Sequence, residues 1–143
     1  MAIVWATNND LEWINEQYKK VDFMPSYLEN ERIAIVTYKE EYAGLGRILY
    51  VNEDEAEIGG IYVLEAFRGI SLAYELVDSL VQETKNSNLK EVYCLPFEEL
   101  RSFYEKFGFK EVDYKHKTIN NIIIKKYHWC LDHYDKKVLL LTL

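Results

Sequence analysis

Ala56-Glu57-Ile58-Gly59-Gly60-Ile61-Tyr62-Val63-Leu64-Glu65-Ala66-Phe67-Arg68-Gly69-Ile70-Ser71-Leu72-Ala73 is the stretch that decides the fold of this chain. Ile58, Ile61, Tyr62 and Val63 suit a pleated, buried surface. Arg68-Gly69 interrupts them. Ala73, Leu76, Val77, Leu80, Val81 and Thr84 then recur at helical spacing, with Glu75, Asp78, Ser79, Gln82 and Glu83 on the other faces. The reading is strand, turn, helix. Such a turn aims several unpaired N–H groups at one point, next to the positive end of a helix, which suits phosphate or another anion. Gly59-Gly60 adds a second signal: glycine weakens a strand and marks a bulge, which would turn main-chain N–H groups outward.

Working outward toward the N-terminus, Arg32–Tyr38, Tyr42–Val51 and Ala56–Val63 are separated by short polar turns and form an antiparallel meander. Met1–Ala6 is a short first strand. Asn8-Asn9-Asp10 supply caps for a helix carrying Leu11, Ile14 and Tyr18 on one face. Val21–Tyr27 is irregular, with or without a short helix. Toward the C-terminus, Leu89–Leu95 is a strand reached by a right-handed crossover, so it lies parallel to the central strand. Phe97, Leu100, Tyr104 and Phe107 share one face of the next helix, which Gly108 ends. Phe109–Val112 starts another strand. Lys125–Leu131 reads as a strand with Tyr127, Trp129 and Leu131 on one face, and Val138–Leu141 as a terminal buried strand. The expected fold class is α/β in the α+β sense: one domain over residues 1–143, a mostly antiparallel mixed sheet with one parallel pair, and helices on both faces.

Two motifs carry a resemblance. Arg68-Gly69-Ile70-Ser71-Leu72-Ala73 resembles the Arg-Gly-x-Gly-x-Gly/Ala turn of the GNAT (Gcn5-related N-acetyltransferase) family, with Ser71 in place of the middle glycine. Ala66 sits where a Gln or Arg often opens the longer form. Phe103-Tyr104 and Gly108-Phe109 match the family's Ala-x-x-Phe-Tyr-x-x-x-Gly-Phe, with Leu100 in place of the Ala and no Asn ahead of it. The resemblance spans about Arg32 to Val112. It implies an acyl-CoA N-acyltransferase fold with acetyl-CoA as acyl donor and a small-molecule or peptide amine as acceptor. It also implies that the backbone of Ile61, Tyr62 and Val63 binds the pantetheine arm. That of Arg68, Gly69, Ile70, Ser71, Leu72 and Ala73 would bind the pyrophosphate. Tyr104 then matches the tyrosine that protonates the departing CoA thiolate; a phenol of pKa about 10 holds its proton at neutral pH. Glu57 stands where some members place a base, the plain alternative being a solvated charge at a strand end. A CoA-binding sensor without transfer chemistry is the rival reading.

Net charge is −7, which argues against nucleic acid as the main partner and is compatible with attracting a cationic amine. No apolar run nears the roughly 18 residues of a membrane helix, and Met1–Ala6 lacks the features of a signal peptide. A cytoplasmic protein with no membrane partner is expected. Cys94 and Cys130 do not make a disulfide framework. His128-Trp129-Cys130-Leu131-Asp132-His133 faintly resembles a metal site, but His128 and Cys130 would share a strand face that His133 leaves, so no metal is assigned. A homodimer paired through the tail strands is a further expectation.

Overall fold

The computed structural model describes residues 1–113, 115 and 117–143. Seven strands form one sheet: β1 (Ala2–Trp5), β2 (Glu31–Tyr38), β3 (Glu41–Tyr50), β4 (Glu55–Val63), β5 (Glu91–Cys94), β6 (Lys110–Glu111) and β7 (Leu141–Thr142). Their spatial order is β1-β2-β3-β4-β5-β7-β6. Only β4 and β5 run parallel; every other pair is antiparallel. The helices are α1 (Leu11–Lys20), α2 (Leu72–Lys85), α3 (Arg101–Glu105) and α4 (Asn121–His133). The meander and the parallel β4–β5 pair are as the sequence indicates.

Strand alternation assigns the faces. Ala34, Val36, Ile48 and Ile58 pack with Leu72, Leu76, Val77, Leu80 and Val81 of α2, together with Tyr104 and Phe107. Burying each such aliphatic side chain contributes about 1.5–3 kcal/mol, so the α2 stripe alone docks the helix firmly. Ile33, Ile35 and Leu45 point to the other face, under Ile14 and Tyr18 of α1. Farther along that face, Tyr93 and Leu140 pack against Ile123 of α4. Arg47 pairs with Gly59, and Glu57 with both Leu49 and Tyr93, which puts Glu57 on the face that α1 and α4 share.

The tail differs from expectation. Lys125–Leu131 is not a strand but the middle of α4. The alternation of Tyr127, Trp129 and Leu131 suggests period two. The packed positions are Ile123 and Cys130, spaced as a helix requires, while Trp129 and Leu131 are exposed. Asn120 caps the helix by accepting the Ile122 N–H at 2.8 Å. The helix is also pinned from below. Glu55 accepts hydrogen bonds from Asn52, Asn120 and the Tyr93 hydroxyl, which hold its carboxyl below the usual range, Asn52 contributing most.

Smaller corrections follow. The Thr7 hydroxyl, not Asn8 or Asn9, accepts the first capping bond, from the Asn9 N–H, and the Asp10 carboxylate accepts one from the Thr7 N–H. The segment between α1 and β2 contains no helix. The terminal strand expected over Val138–Leu141 is confined to Leu141–Thr142, between β5 and β6. Among the described residues, no helix is long and apolar enough to cross a membrane.

Candidate active site

The turn after β4 is open. Arg68, Gly69, Ile70 and Ser71 are exposed, and Leu72 begins the buried stripe of α2. Among the described residues, the main-chain bonds made here are Arg68 N–H to Glu65 and Glu75 N–H to Ser71. The amides of Gly69 through Tyr74 stay unclaimed, four of them belonging to Ser71 and the first helical turn, which has no intrahelical acceptor to offer. Gly69 has φ +86°, and a Cβ built on it would meet nothing within 4 Å. The corner is therefore not plugged by side chains. The Arg68 guanidinium turns back instead: its Nε donates to the Val63 carbonyl at 3.0 Å, and it lies 5.7 Å from the Tyr62 ring. It braces the turn against the end of β4. Ser71 takes φ 63° and ψ 20°, the left-handed conformation that favours glycine. That is why the family pattern has glycine at this place. Its hydroxyl makes no capping bond, contrary to the capping role a serine suggests.

The bulge expected at Gly59-Gly60 is present. Leu45 pairs with Tyr62 but Arg47 with Gly59, so one residue of β3 faces two of β4. Gly60 has φ +61°; a side chain there would collide with the Tyr18 hydroxyl and Arg47. The bulge inverts the alternation, and Tyr62 packs on the α1 side while Ile61 and Val63 pack on the α2 side. The Tyr18 hydroxyl donates to the Gly60 carbonyl at 2.9 Å and fixes the bulge from above. Here β4 and β5 also part. Their parallel pairing ends at Ile58 and Cys94, and β4 continues to Val63 with no strand on that side. Ile61, Tyr62 and Val63 thus border the wedge left where β5 stops at Cys94, on the stretch of β4 that leads to the turn.

Two candidate acid–base groups flank the mouth of this wedge from opposite faces. Tyr104, from α3, is buried in the α2-side core and paired with the Cys94 thiol. Burial first, then Cys94, pushes its hydroxyl well above the ordinary value of 10.0, so the phenol keeps its proton. Burial raises the Cys94 thiol as well, which makes it a poor nucleophile. On the other face, Glu57 is only 4% exposed; it is not a solvated strand-end charge. Its carboxylate leans over Gly59, where a Cβ would sit 3.1 Å from Oε2.

Lys126 of α4 completes the cluster and escapes the sequence reading. Its Nζ donates to Glu57 Oε1 at 2.6 Å. The spacing Ile123, Tyr127, Cys130 marks Lys126 as a neighbour of the packed face, but only once the segment is read as a helix. Tyr18 is legible as a core aromatic, not as the clamp on Gly60. Two clefts among the described residues, of about 330 and 510 Å³, lie elsewhere, beside Trp5 and Arg32 and beside Tyr50 and Leu89. Among the described residues, no three His, Cys, Asp or Glu side chains gather as metal ligands.

A model of the acetyltransferase (GNAT) family matches residues 4–109. No curated protein matches in sequence. The structure is similar to that of Rv2747 from Mycobacterium tuberculosis in complex with CoA and NLQ (TM-score 0.76, 15% identity, 100% of this chain and 98% of that one). It is similar to a GNAT family acetyltransferase from Elizabethkingia anophelis with acetyl-CoA bound (TM-score 0.66, 19% identity, 99% and 96% covered). It also resembles N-acetylglutamate synthase from Neisseria gonorrhoeae complexed with coenzyme A and L-arginine (TM-score 0.72, 15% identity), covering 97% of this chain but 32% of that one. At these identities the likeness is one of fold.

Proposed function

Because the chain belongs to the GNAT acetyltransferase family, we propose that it moves an acetyl or other short acyl group from acetyl-CoA to a primary amine, using residues 1–143 as one catalytic domain. The observation that carries this is the row of unclaimed amides from Gly69 to Tyr74, opening beside the wedge between β4 and β5. The pyrophosphate binds at the turn, held by main-chain N–H groups and the positive end of α2. The pantetheine arm runs along Ile61, Tyr62 and Val63, and the thioester lies at the bulge, where outward N–H groups stabilise the developing oxyanion.

The amine arrives from the α1–α4 face. At pH 7 an alkylamine is roughly one part in a few thousand neutral, so Glu57 assists by taking its proton. The free amine attacks the thioester directly, the C–S bond breaks, and Tyr104 protonates the thiolate from the α2 face. Holding both reactants in one wedge supplies the entropy advantage.

A specific observation favours a second reading: Glu57 is occupied by Lys126, as in a CoA sensor that has no use for a base. One experiment separates them. In a thermal-shift titration, acetyl-CoA at about a hundred times its dissociation constant stabilises the fold by roughly 2.7 kcal/mol. Free thiol release with a panel of amines then reports transfer. Binding with no thiol release under any acceptor supports the sensor; no binding at all sinks both.

A further inference from the structure

A lysine ammonium sits where an acceptor amine would have to sit. Lys126 Nζ lies 2.6 Å from Glu57 Oε1, and Glu57 is 4% exposed. That carboxylate overhangs Gly59, one residue before the bulge at Gly60. Cys94, which carries the hydrogen bond to Tyr104, lies close enough to both Glu57 and Lys126 to feel their charges. One amine, one candidate base and one candidate acid therefore gather around the end of the β4–β5 pairing. Lys126 is not sealed in: its side chain is 39% exposed, and it extends from a helix rather than from the sheet.

An ion pair serving only the fold would not need this place. Lys90, Lys117, Lys136 and Lys137 pair instead with carboxylates whose side chains are 30–61% exposed, against 5% for Glu57. We propose that Lys126 is itself an acetyl acceptor, so that the protein acetylates its own α4 in an intramolecular reaction. This rests on the acyl-transfer reading above.

The step balances. Glu57 takes a proton from the Lys126 ammonium; the neutral Nζ attacks the thioester carbon of acetyl-CoA. A new N–C bond forms, the C–S bond breaks, and the thiolate accepts the Tyr104 proton. Glu57 returns its proton to water, and the second proton, shed by the attacking nitrogen as it becomes an amide, restores Tyr104. The products are an uncharged N-acetyl-lysine, free CoA and one proton released to solvent. Acetylation also cancels the charge that holds Glu57, which leaves the carboxylate open to an external amine. Self-acetylation is thus a priming event for the site, and a reason that an occupied base and a working enzyme are compatible.

The test is peptide mass spectrometry of the purified full chain incubated with acetyl-CoA. The expected result is one acetyl group on Lys126, added faster than on its exposed neighbour Lys125, at a rate per molecule independent of protein concentration. Tyr104→Phe, which preserves shape, should slow modification of Lys126 about a hundredfold and leave that of Lys125 unchanged. Lys126→Arg, which preserves charge, should remove the modified peptide while acetyl-CoA still raises the melting temperature. Acetylation spread evenly over Lys125, Lys126, Lys136 and Lys137 and indifferent to Tyr104→Phe overturns the proposal as adventitious chemistry. An unmodified Lys126 in a protein that binds acetyl-CoA and releases thiol with an added amine overturns it alone. Absence of acetyl-CoA binding removes the acyl-transfer reading and this inference with it.

Discussion

The two ends of β4 are finished by two different kinds of structure. Past Val63, the turn at Arg68–Ala73 offers main chain: free amides, a glycine at φ +86° and a serine at φ 63°. At Glu57, everything offered is side chain, and the partner comes from α4, 69 residues away. The first kind depends on what residues leave out, namely bulk and competing hydrogen bonds. The second depends on where a remote helix docks. Main-chain sites are local and side-chain sites are assembled, and each fails in its own way when disturbed.

The turn should therefore fail through charge and shape alone. Gly69→Asp should produce the largest effect. The free space around Gly69 means that an added side chain meets no protein atom. The damage comes from a carboxylate placed where the pyrophosphate goes and from strain at positive φ, which costs about 1 kcal/mol. Acetyl-CoA affinity should fall by about a hundredfold or more, so that the ligand-induced thermal shift vanishes at concentrations that saturate the wild type. Gly69→Ala, with the same strain and no charge, should keep most of the affinity. Equal losses in both would mean that backbone geometry, not electrostatics, governs the turn.

Tyr104→Phe probes the assembled side and should act on turnover alone. Removing the hydroxyl leaves the ring in the α2-side core, against Phe103 and Phe109. The kcat should fall about a hundredfold with the KM for acetyl-CoA little changed, the signature of a group used in the transition state. Steady-state kinetics with any accepted amine checks this. Unchanged turnover would take Tyr104 out of the mechanism and leave solvent as the proton source.

What was legible follows the same division. Arg68-Gly69, the paired glycines of β4 and the helical stripe from Leu72 to Thr84 announce themselves, because each is a short-range requirement of backbone geometry or of one helix face. The meander and the crossover follow from turn residues and connection rules. Glu57 was visible as a candidate but not as a buried ion, since burial comes from Tyr93, Leu49 and α4 together. Lys126 stays hidden as long as residues 125–131 look like a strand. Over a few residues Tyr127, Trp129 and Leu131 mimic a strand, and only Asn120 as a cap and Ile123 with Cys130 as the buried pair give the helix away.

Ser71→Gly is the smallest and most discriminating change. Serine in the left-handed region carries a strain that glycine lacks, of the order of 1 kcal/mol. Glycine gives back part of the gain by loosening the unfolded chain. The net should be a stabilisation of about 0.5 kcal/mol, read as a small rise in denaturation midpoint. The Ser71 side chain makes no capping bond to α2, so no cap is lost in the free enzyme. If the turn binds through main chain only, acetyl-CoA affinity should change by less than about threefold. A tenfold loss, about 1.4 kcal/mol, would instead mark the Ser71 hydroxyl as a donor to a phosphate oxygen. A single side chain would then hold part of the site that backbone alone is expected to hold, and the contrast between the two ends of β4 would narrow by that one bond.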